Sequence, residues 1–242
     1  MRELEDNKWF PEVLRRHQLD YLSFLATKFK LYQPVAEQLV TMAANSDYKE
    51  WTDVCSGSAG PVFNFDSNNN KILLTDMFPP KINLNLPENM SYYPYPVDIS
   101  QYLPPGNGFI TMFNSFHHFS VNEQKEILER ISCSRRSFLA VEILQPTFSA
   151  FVKVIFTTTI GHWILVPFMR PFSIRRIFFT YLIPIHTITI CIDGIISVFK
   201  SKSSSYYSAL AQSMSTPFYA FSFLKVNGKF GPLYTLVGES IK

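Results

Sequence analysis

Apolar side chains at Leu14, Tyr21, Leu22, Leu25 and Phe29 recur at a helical spacing, predicting a helix from Pro11 to about Phe29 with one buried face. A second helix is expected from Pro34, where proline suits the first turn, through Val35, Ala36, Leu39, Val40 and Ala43. Five short apolar runs then read as strands: Trp51 to Cys55, Lys71 to Thr75, Tyr92 to Val97, Gly108 to Phe113 and Ser137 to Ile143. Pro94 and Pro96 confine the third to a sheet edge, because proline cannot donate to a ladder. A helix from Val121 to Ile131, with Ser120 as cap, separates the last two runs. The first crossover, Pro61 to Asn70, is unusually short and ends in Ser67-Asn-Asn-Asn70. Strands alternating with helices in this way predict an α/β chain with a mostly parallel sheet. From Phe148 to Phe199 the pattern changes to long runs of Phe, Ile, Val, Leu and Thr, broken by Pro167, Arg170, Pro171, Arg175, Arg176 and Pro184. A serine-rich stretch, Ser201 to Ser205, leads into a short helix around Tyr206 to Met214. Two final strands, Tyr219 to Val226 and Leu233 to Gly238, are joined near Asn227-Gly-Lys229 and are expected to be antiparallel.

Composition narrows the class. With 242 residues the chain can enclose a sizeable core, and one globular domain is expected: a helical lead-in over 1–47, then 48–242 with an apolar insertion at about 148–199. A net charge of +3, with no run alternating basic and aromatic residues, argues against nucleic acid. Cys55, Cys133 and Cys191 form neither a disulfide framework nor a zinc pattern, which fits a reducing compartment. The polar start, Met1 to Lys8, lacks a signal-peptide core, so a cytoplasmic location is expected.

The clearest chemical signal is Asp53-Val-Cys-Ser-Gly-Ser-Ala-Gly-Pro61, an apolar strand running into a loop of small residues. The next apolar run ends in Asp76, 19 residues after Gly57. In an open α/β sheet the first turn lets a ligand approach the backbone, and the acid ending the next strand can bind a ribose diol. A nicotinamide dinucleotide is disfavoured because G-x-G-x-x-G is absent and the chain ends in a hairpin. His117 and His118 follow the fourth strand, where ligands bind in such sheets, so either could take a proton from a substrate; the alternative is a packed histidine between Phe116 and Phe119. Glu142, ending the fifth strand, is a candidate substrate contact or a strand-end acid. Asp193 stands in an apolar run and needs a partner, for which Arg175 or Arg176 offers itself; a substrate contact and a structural ion pair are both open. No close set of His, Asp or Glu has ligand spacing, and no metal is expected.

The order of parts resembles the class I S-adenosylmethionine-dependent methyltransferases, and within them a bacterial branch. The resemblance rests on Trp9-Phe-Pro11, the Asp53 to Pro61 loop, Leu74-Thr-Asp-Met-Phe-Pro79, Phe113-Asn-Ser-Phe-His-His-Phe119, Thr180-Tyr-Leu-Ile-Pro184 and Asp193-Gly-Ile-Ile-Ser197. It implies a Rossmann-like, mostly parallel sheet with an antiparallel C-terminal strand, and S-adenosylmethionine as cofactor. Asp53 and the backbone of Cys55, Ser56, Gly57, Ser58 and Gly60 are then expected around the methionine end, with Asp76 on the ribose hydroxyls. Met77 and Ile99 would flank the adenine, Asp98 would accept from its amino group, and Asn114 would face the methyl group. His117, Glu142 and Asp193 are the candidate catalytic groups. Cys55 and Ala59 replace glycines of the family's Gly-x-Gly-x-Gly, yet both are small, so close approach survives.

Phe148 to Met169 and Ile177 to Phe199 are each about long enough to cross roughly 30 Å of hydrocarbon. Crossing is disfavoured. Both ends of the insertion join one sheet, so a hairpin would carry Arg170, Arg175 and Arg176 to the far side. Lys153, His162, His186 and Asp193 would also enter the membrane. Helices over the substrate side of the sheet, lining a greasy pocket or dipping into one leaflet, are favoured, against a second hydrophobic layer or a subunit contact. The sequence therefore predicts methyl transfer to a small lipophilic acceptor, with a non-catalytic membrane-associated scaffold or cofactor sensor as the alternative.

Overall fold

The computed structural model describes residues 2–45, 50–65, 71–80 and 86–241. Its centre is a seven-stranded sheet in the order β3-β2-β1-β4-β5-β7-β6. The parallel strands are β1 (Glu50–Val54), β2 (Lys71–Thr75), β3 (Met90–Tyr92), β4 (Phe109–Phe113) and β5 (Phe138–Glu142). β6 (Tyr219–Gly228) and β7 (Gly231–Ser240) form the hairpin, and β7 lies antiparallel to β5. Every residue of β4 and β5 is buried, as expected of central strands covered on both faces.

The third strand is shorter and earlier than its apolar pattern predicts. Pairing ends at Tyr92, because Pro94 and Pro96 have no N–H. The segment still tracks β2, through Tyr93 N donating to Leu74 O at 2.9 Å and Val97 N to Asp76 O at 2.9 Å. The compressed first crossover holds a single 3₁₀ turn, Val62–Asn64, and residues 66–70 lie outside the described part. Phe65 closes that turn by packing on Trp51 and Phe113.

Helix α1 (Glu12–Phe29) runs beside the loop after β1, and α2 (Ala36–Asn45) follows a 3₁₀ turn at Gln33–Val35. Val35, Leu39 and Met42 share one core with Trp51, Leu74 and Phe113, so the lead-in is built into the sheet's apolar layer. Helix α3 (Val121–Ser134) is set by a capping box, in which Ser120 Oγ accepts from Glu123 N and Glu123 Oε2 accepts from Ser120 N. It runs one turn beyond the expected end, to a left-handed Arg135.

The insertion begins with α4 (Phe148–Phe156), which continues through a π turn at Thr157–Gly161, α5 (His162–Leu165) and a 3₁₀ turn into one helix, Phe148–Phe168. Next come α6 (Ile174–Ile177), a π turn and α7 (Ile185–Lys200), with a 77° bend where Ile183 and Pro184 break the helix. Helix α8 (Ser204–Met214) returns the chain to the hairpin. The insertion does not cover the sheet directly. It packs on the outer face of α1, where Tyr21 and Leu25 meet Val166, Met169 and Ile190, and Tyr21 OH donates to Thr157 O at 2.7 Å.

Three buried histidines sit at that junction: His17 of α1, His162 of α5 and His186 of α7, with ring centroids 4.2 Å (His17 to His186) and 5.6 Å (His162 to His186) apart. Burial, reinforced by the neighbouring rings and Arg176, lowers their pKa values to about 4 for His17 and His162 and about 3 for His186. The folded protein thus refuses protons that the unfolded chain accepts, so their contribution to stability is full above about pH 6.5 and is lost as pH falls toward the folded values. The H186Q variant is expected to lose less stability on acidification than wild type, by on the order of 2 kcal/mol between about pH 6.5 and 4.5. Thermal melts of both proteins across that range check this, and parallel pH profiles would refute it.

Candidate active site

The loop after β1 owes its shape to alternating left-handed residues. Cys55 (φ 55°), Gly57 (φ 50°) and Ala59 (φ 60°) all have positive φ. Cys55 and Ala59 therefore keep glycine's backbone conformation, at a cost of about 1–3 kcal/mol each. Ser56 pins the turn: its N–H donates to Thr75 O at 3.0 Å, its hydroxyl donates to Asp53 O at 2.9 Å, and the hydroxyl accepts from Thr75 N at 3.2 Å. From the other side α1 leans on the loop. Ser23 Oγ donates to Ser58 O and Thr27 Oγ1 to Gly60 O, each at 3.3 Å, while Ser58 Oγ donates to Asp20 Oδ1 at 3.1 Å.

Of the three acids expected to meet the cofactor, Asp53 and Asp76 stand at the carboxyl ends of the neighbouring strands β1 and β2, and Asp98 lies in the turn that follows the segment after β3. Asp53 is buried in β1 and accepts from Thr111 Oγ1 at 2.6 Å, which in turn accepts from Trp51 Nε1 at 2.5 Å. Burial raises its pKa to about 7, Asp76 adds repulsion, and the bonds from Thr111 and Ser56 oppose the shift. Asp76 follows β2 and accepts from Gly57 N at 2.9 Å and Phe78 N at 2.8 Å, tying the two loops together. Its pKa is also raised by burial, against those two hydrogen bonds. Asp98 closes a turn by accepting from Ser100 N (3.0 Å), Ser100 Oγ (2.6 Å) and Gln101 Nε2 (2.9 Å). Asn114, left-handed at φ 49°, links β4 to β5 by accepting from Ile143 N at 3.2 Å.

Asp53, Cys55, Ser56, Gly57, Ser58, Gly60, Asp76, Asp98 and Asn114, together with Met77 and Ile99, line one cavity of about 430 Å³ at the carboxyl edge of the sheet. That is where ligands bind in open parallel sheets, and the size is that of a small-molecule site. An apolar wall is built by Leu19, Leu22 and Leu25 of α1, with Leu31, Phe113 at the end of β4 and Ile143 just after β5. A wider hollow of about 690 Å³ beside α3, lined by Leu103, Glu126, Glu129 and Arg130, is a shallow surface depression away from the strand ends.

The candidate catalytic residues are placed differently from expectation. His117 and Glu142 do not line the cavity. They form a buried pair behind it, with His117 Nδ1 2.6 Å from Glu142 Oε2 and Glu142 Oε1 accepting from Phe116 N at 2.7 Å, because the 3₁₀ turn Phe116–His118 folds His117 inward. Its neighbour His118 faces the cavity, 3.1 Å from Asp6 Oδ1 and 3.4 Å from Glu3 Oε2. Burial lowers the pKa of His118, but Glu3 and Asp6 outweigh it and the value stands at about 9. Asp193 also stands off the cavity. It accepts from Leu4 N (2.6 Å), Glu5 N (3.1 Å) and Gln18 Nε2 (2.9 Å), so its partners are the N-terminal backbone and α1, while Arg176 pairs with Asp20 at 3.4 Å. Asp193 is thus a clamp on residues 4–5. Of the insertion only Ser197 reaches the cavity, so the greasy pocket expected under 148–199 is built instead by α1.

Glu3, Glu5, Asp6, Arg15 and Tyr32 line the cavity without any signal in sequence spacing. Glu5, half-buried beside Glu3, has its pKa raised to about 8 by desolvation and by the charge of Glu3.

This sheet order, with its antiparallel hairpin and its ligand edge at β1, β2 and β4, is the Rossmann-like fold of the class I S-adenosylmethionine-dependent methyltransferases. Among solved structures, a cysteine-to-alanine variant of LepI bound to S-adenosylhomocysteine and a substrate analogue shares it at a TM-score of 0.51 and 11% identity, over 86% of this chain and 47% of that one. Human N-acetylserotonin methyltransferase with S-adenosylmethionine aligns at 14% identity and a TM-score of 0.49, over 86% of this chain and 51% of its own. The O-methyltransferase NcsB1 from neocarzinostatin biosynthesis, with S-adenosylhomocysteine and 1,4-dihydroxy-2-naphthoic acid, aligns at 11% identity and 0.49, over 91% and 56%. The chain spans about half the length of these proteins. No family model matches the chain, and no curated protein matches it.

Proposed function

We propose that this protein binds S-adenosylmethionine in the 430 Å³ cavity and transfers its methyl group to a small lipophilic acceptor reached from a membrane surface. The observation that carries the reading is the convergence of the Cys55 to Gly60 loop, Asp76 and Asp98 on one cavity facing an apolar wall. Backbone amides at the loop suit a carboxylate, Asp76 a ribose diol and Asp98 an exocyclic amine. The cofactor supplies an already activated methyl group, so the chain's contribution is mainly to hold donor and acceptor in line and to keep water out. Leu22, Leu25 and Phe113 offer the acceptor an apolar surface.

The membrane component rests on the outward face of the insertion. The Phe148–Phe168 helix is long and apolar enough to span a bilayer, yet only 17% of its most apolar window is buried, so it is not a core helix. Phe148, Phe168, Ile174, Leu182 and Phe199 are all at least 66% exposed. Large apolar side chains exposed in number on one segment favour a protein or membrane contact there. The 77° bend and the basic residues Arg170 and Arg175 suit helices lying in one leaflet, with cations at the headgroups.

Three measurements test the proposal. Calorimetry should show one S-adenosylmethionine site, displaced by S-adenosylhomocysteine; no binding would remove the methyltransferase reading. With labelled cofactor, methyl transfer should appear in a lipid extract rather than an aqueous one, and the protein should float with vesicles containing anionic lipid. Full solubility without detergent and no flotation would defeat the membrane component while leaving the first intact.

A further inference from the structure

Behind the cavity, the N-terminal segment meets the turn after β4. Among the described residues, one group of metal-ligand type has its ligand atoms all within 4.8 Å of one another: Glu3, His117 and His118. We propose that these three side chains bind a divalent transition-metal ion of the zinc class, at a site that opens on the cavity through Glu3 and His118.

The tautomer of His117 points to this. Glu142 is an acceptor, so the 2.6 Å contact with His117 Nδ1 places the ring proton there and leaves a lone pair on Nε2. That Nε2 is buried, has no hydrogen-bond partner, and faces another acceptor, Glu3 Oε1, at 3.9 Å. Two buried acceptors facing each other repel, and even a protonated Nε2 would be too distant for a hydrogen bond. A cation between them satisfies both.

The spacing is suitable. Ligands about 2.0–2.1 Å from a tetrahedral ion lie roughly 3.4 Å apart. His118 Nε2 is 3.4 Å from Glu3 Oε2 and His117 Nε2 is 3.9 Å from Glu3 Oε1, so the Glu3 carboxylate has to turn for one of its oxygens to serve with both rings. Two imidazoles and a carboxylate suit zinc or ferrous iron, and three protein ligands leave a position for water or an acceptor oxygen.

The surroundings are those of metal-binding histidines, which typically give their other ring nitrogen to a carboxylate. Both do so here: His117 Nδ1 to Glu142, and His118 Nδ1 to Asp6 at 3.1 Å. Lys200 is the competing cation, 3.2 Å from Glu3 Oε1 and 3.7 Å from Asp6 Oδ2, but it makes no bond to His117. Lys200 shares Glu3 Oε1, the oxygen that faces His117, so the ion either displaces the lysine from that oxygen or binds Oε2 and leaves it in place. No ligand spacing is visible along the chain because Glu3 lies 114 residues from His117. This site does not depend on the methyltransferase reading, since metal binding is measured without cofactor.

The test is Zn²⁺ titration of the chelator-dialysed full chain, followed by competition with a chromogenic chelator, with Co²⁺ as a spectroscopic probe. Wild type should bind one ion, and Co²⁺ should give d–d bands of a nitrogen and oxygen site, a readout that needs no variant. H117Q and E3Q should weaken binding at least ~100-fold, and E142Q ~10-fold to 100-fold by loosening the ring it holds. K200M should bind more tightly, since it removes the competing charge. The proposal is overturned if wild type binds no more Zn²⁺ than the folded H117Q/H118Q double variant. It is also overturned if Co²⁺ shows thiolate charge-transfer bands, or if K200M binds less tightly than wild type.

Discussion

Asp76→Ala is expected to lower S-adenosylmethionine affinity about 100-fold, from the loss of two charge-assisted hydrogen bonds to a ribose diol worth together roughly 3 kcal/mol. An ionised carboxylate offers about four acceptor positions. The amides of Gly57 and Phe78 occupy one on each oxygen of Asp76, which leaves one on each oxygen for a diol. Because those amides also hold the loop, alanine confounds binding with loop order. Asp76→Asn separates the two: it retains one acceptor for an amide, and should melt close to wild type while still binding the cofactor at least ~10-fold more weakly. Calorimetry beside thermal melts gives the answer. Wild-type affinity in the folded D76N protein would remove Asp76 from the cofactor site.

Gly60→Ala should be the most damaging single change in the loop. A Cβ there would lie 2.3 Å from Ser23 Cα, so the clash is with the backbone of α1 and no rotamer relieves it. Helix α1 must then lift from the loop, losing the bonds from Ser23 and Thr27 and parting the cavity's apolar wall from its polar floor. Overpacking of this kind costs about 1–3 kcal/mol or more. We expect a melting temperature lower by roughly 5 °C or more together with weakened cofactor binding. A G60A variant with wild-type melting and affinity would show that α1 does not seat on the loop as described.

Much of the site was legible because it is local. The Asp53 to Pro61 loop and Asp76 lie at the ends of adjacent strands, whose apolar runs are unmistakable, and parallel pairing brings Asp53 opposite Leu74. The same reading failed where side-chain direction decides. His117 and His118 are neighbours with the same flanking residues, yet one turns inward to Glu142 and the other toward Asp6. Nothing in their spacing distinguishes them.

The sequence by itself determined the α/β order, the edge position of the segment that Pro94 and Pro96 interrupt, the closing hairpin and the small-residue loop with its partner acid, since each follows from short-range periodicity or backbone preference. Only the tertiary structure decided what faces that loop. Asp193 meets Leu4 across 189 positions, and Gln18 across 175, so its role as a clamp on the N-terminal segment was invisible to any pattern. The Glu3, His117 and His118 cluster, and the substitution of α1 for the insertion as the cavity's apolar wall, arise in the same way. Burying a charge or a long helix face needs a complementary surface, and which distant surface supplies it is settled by packing, not by the order of residues.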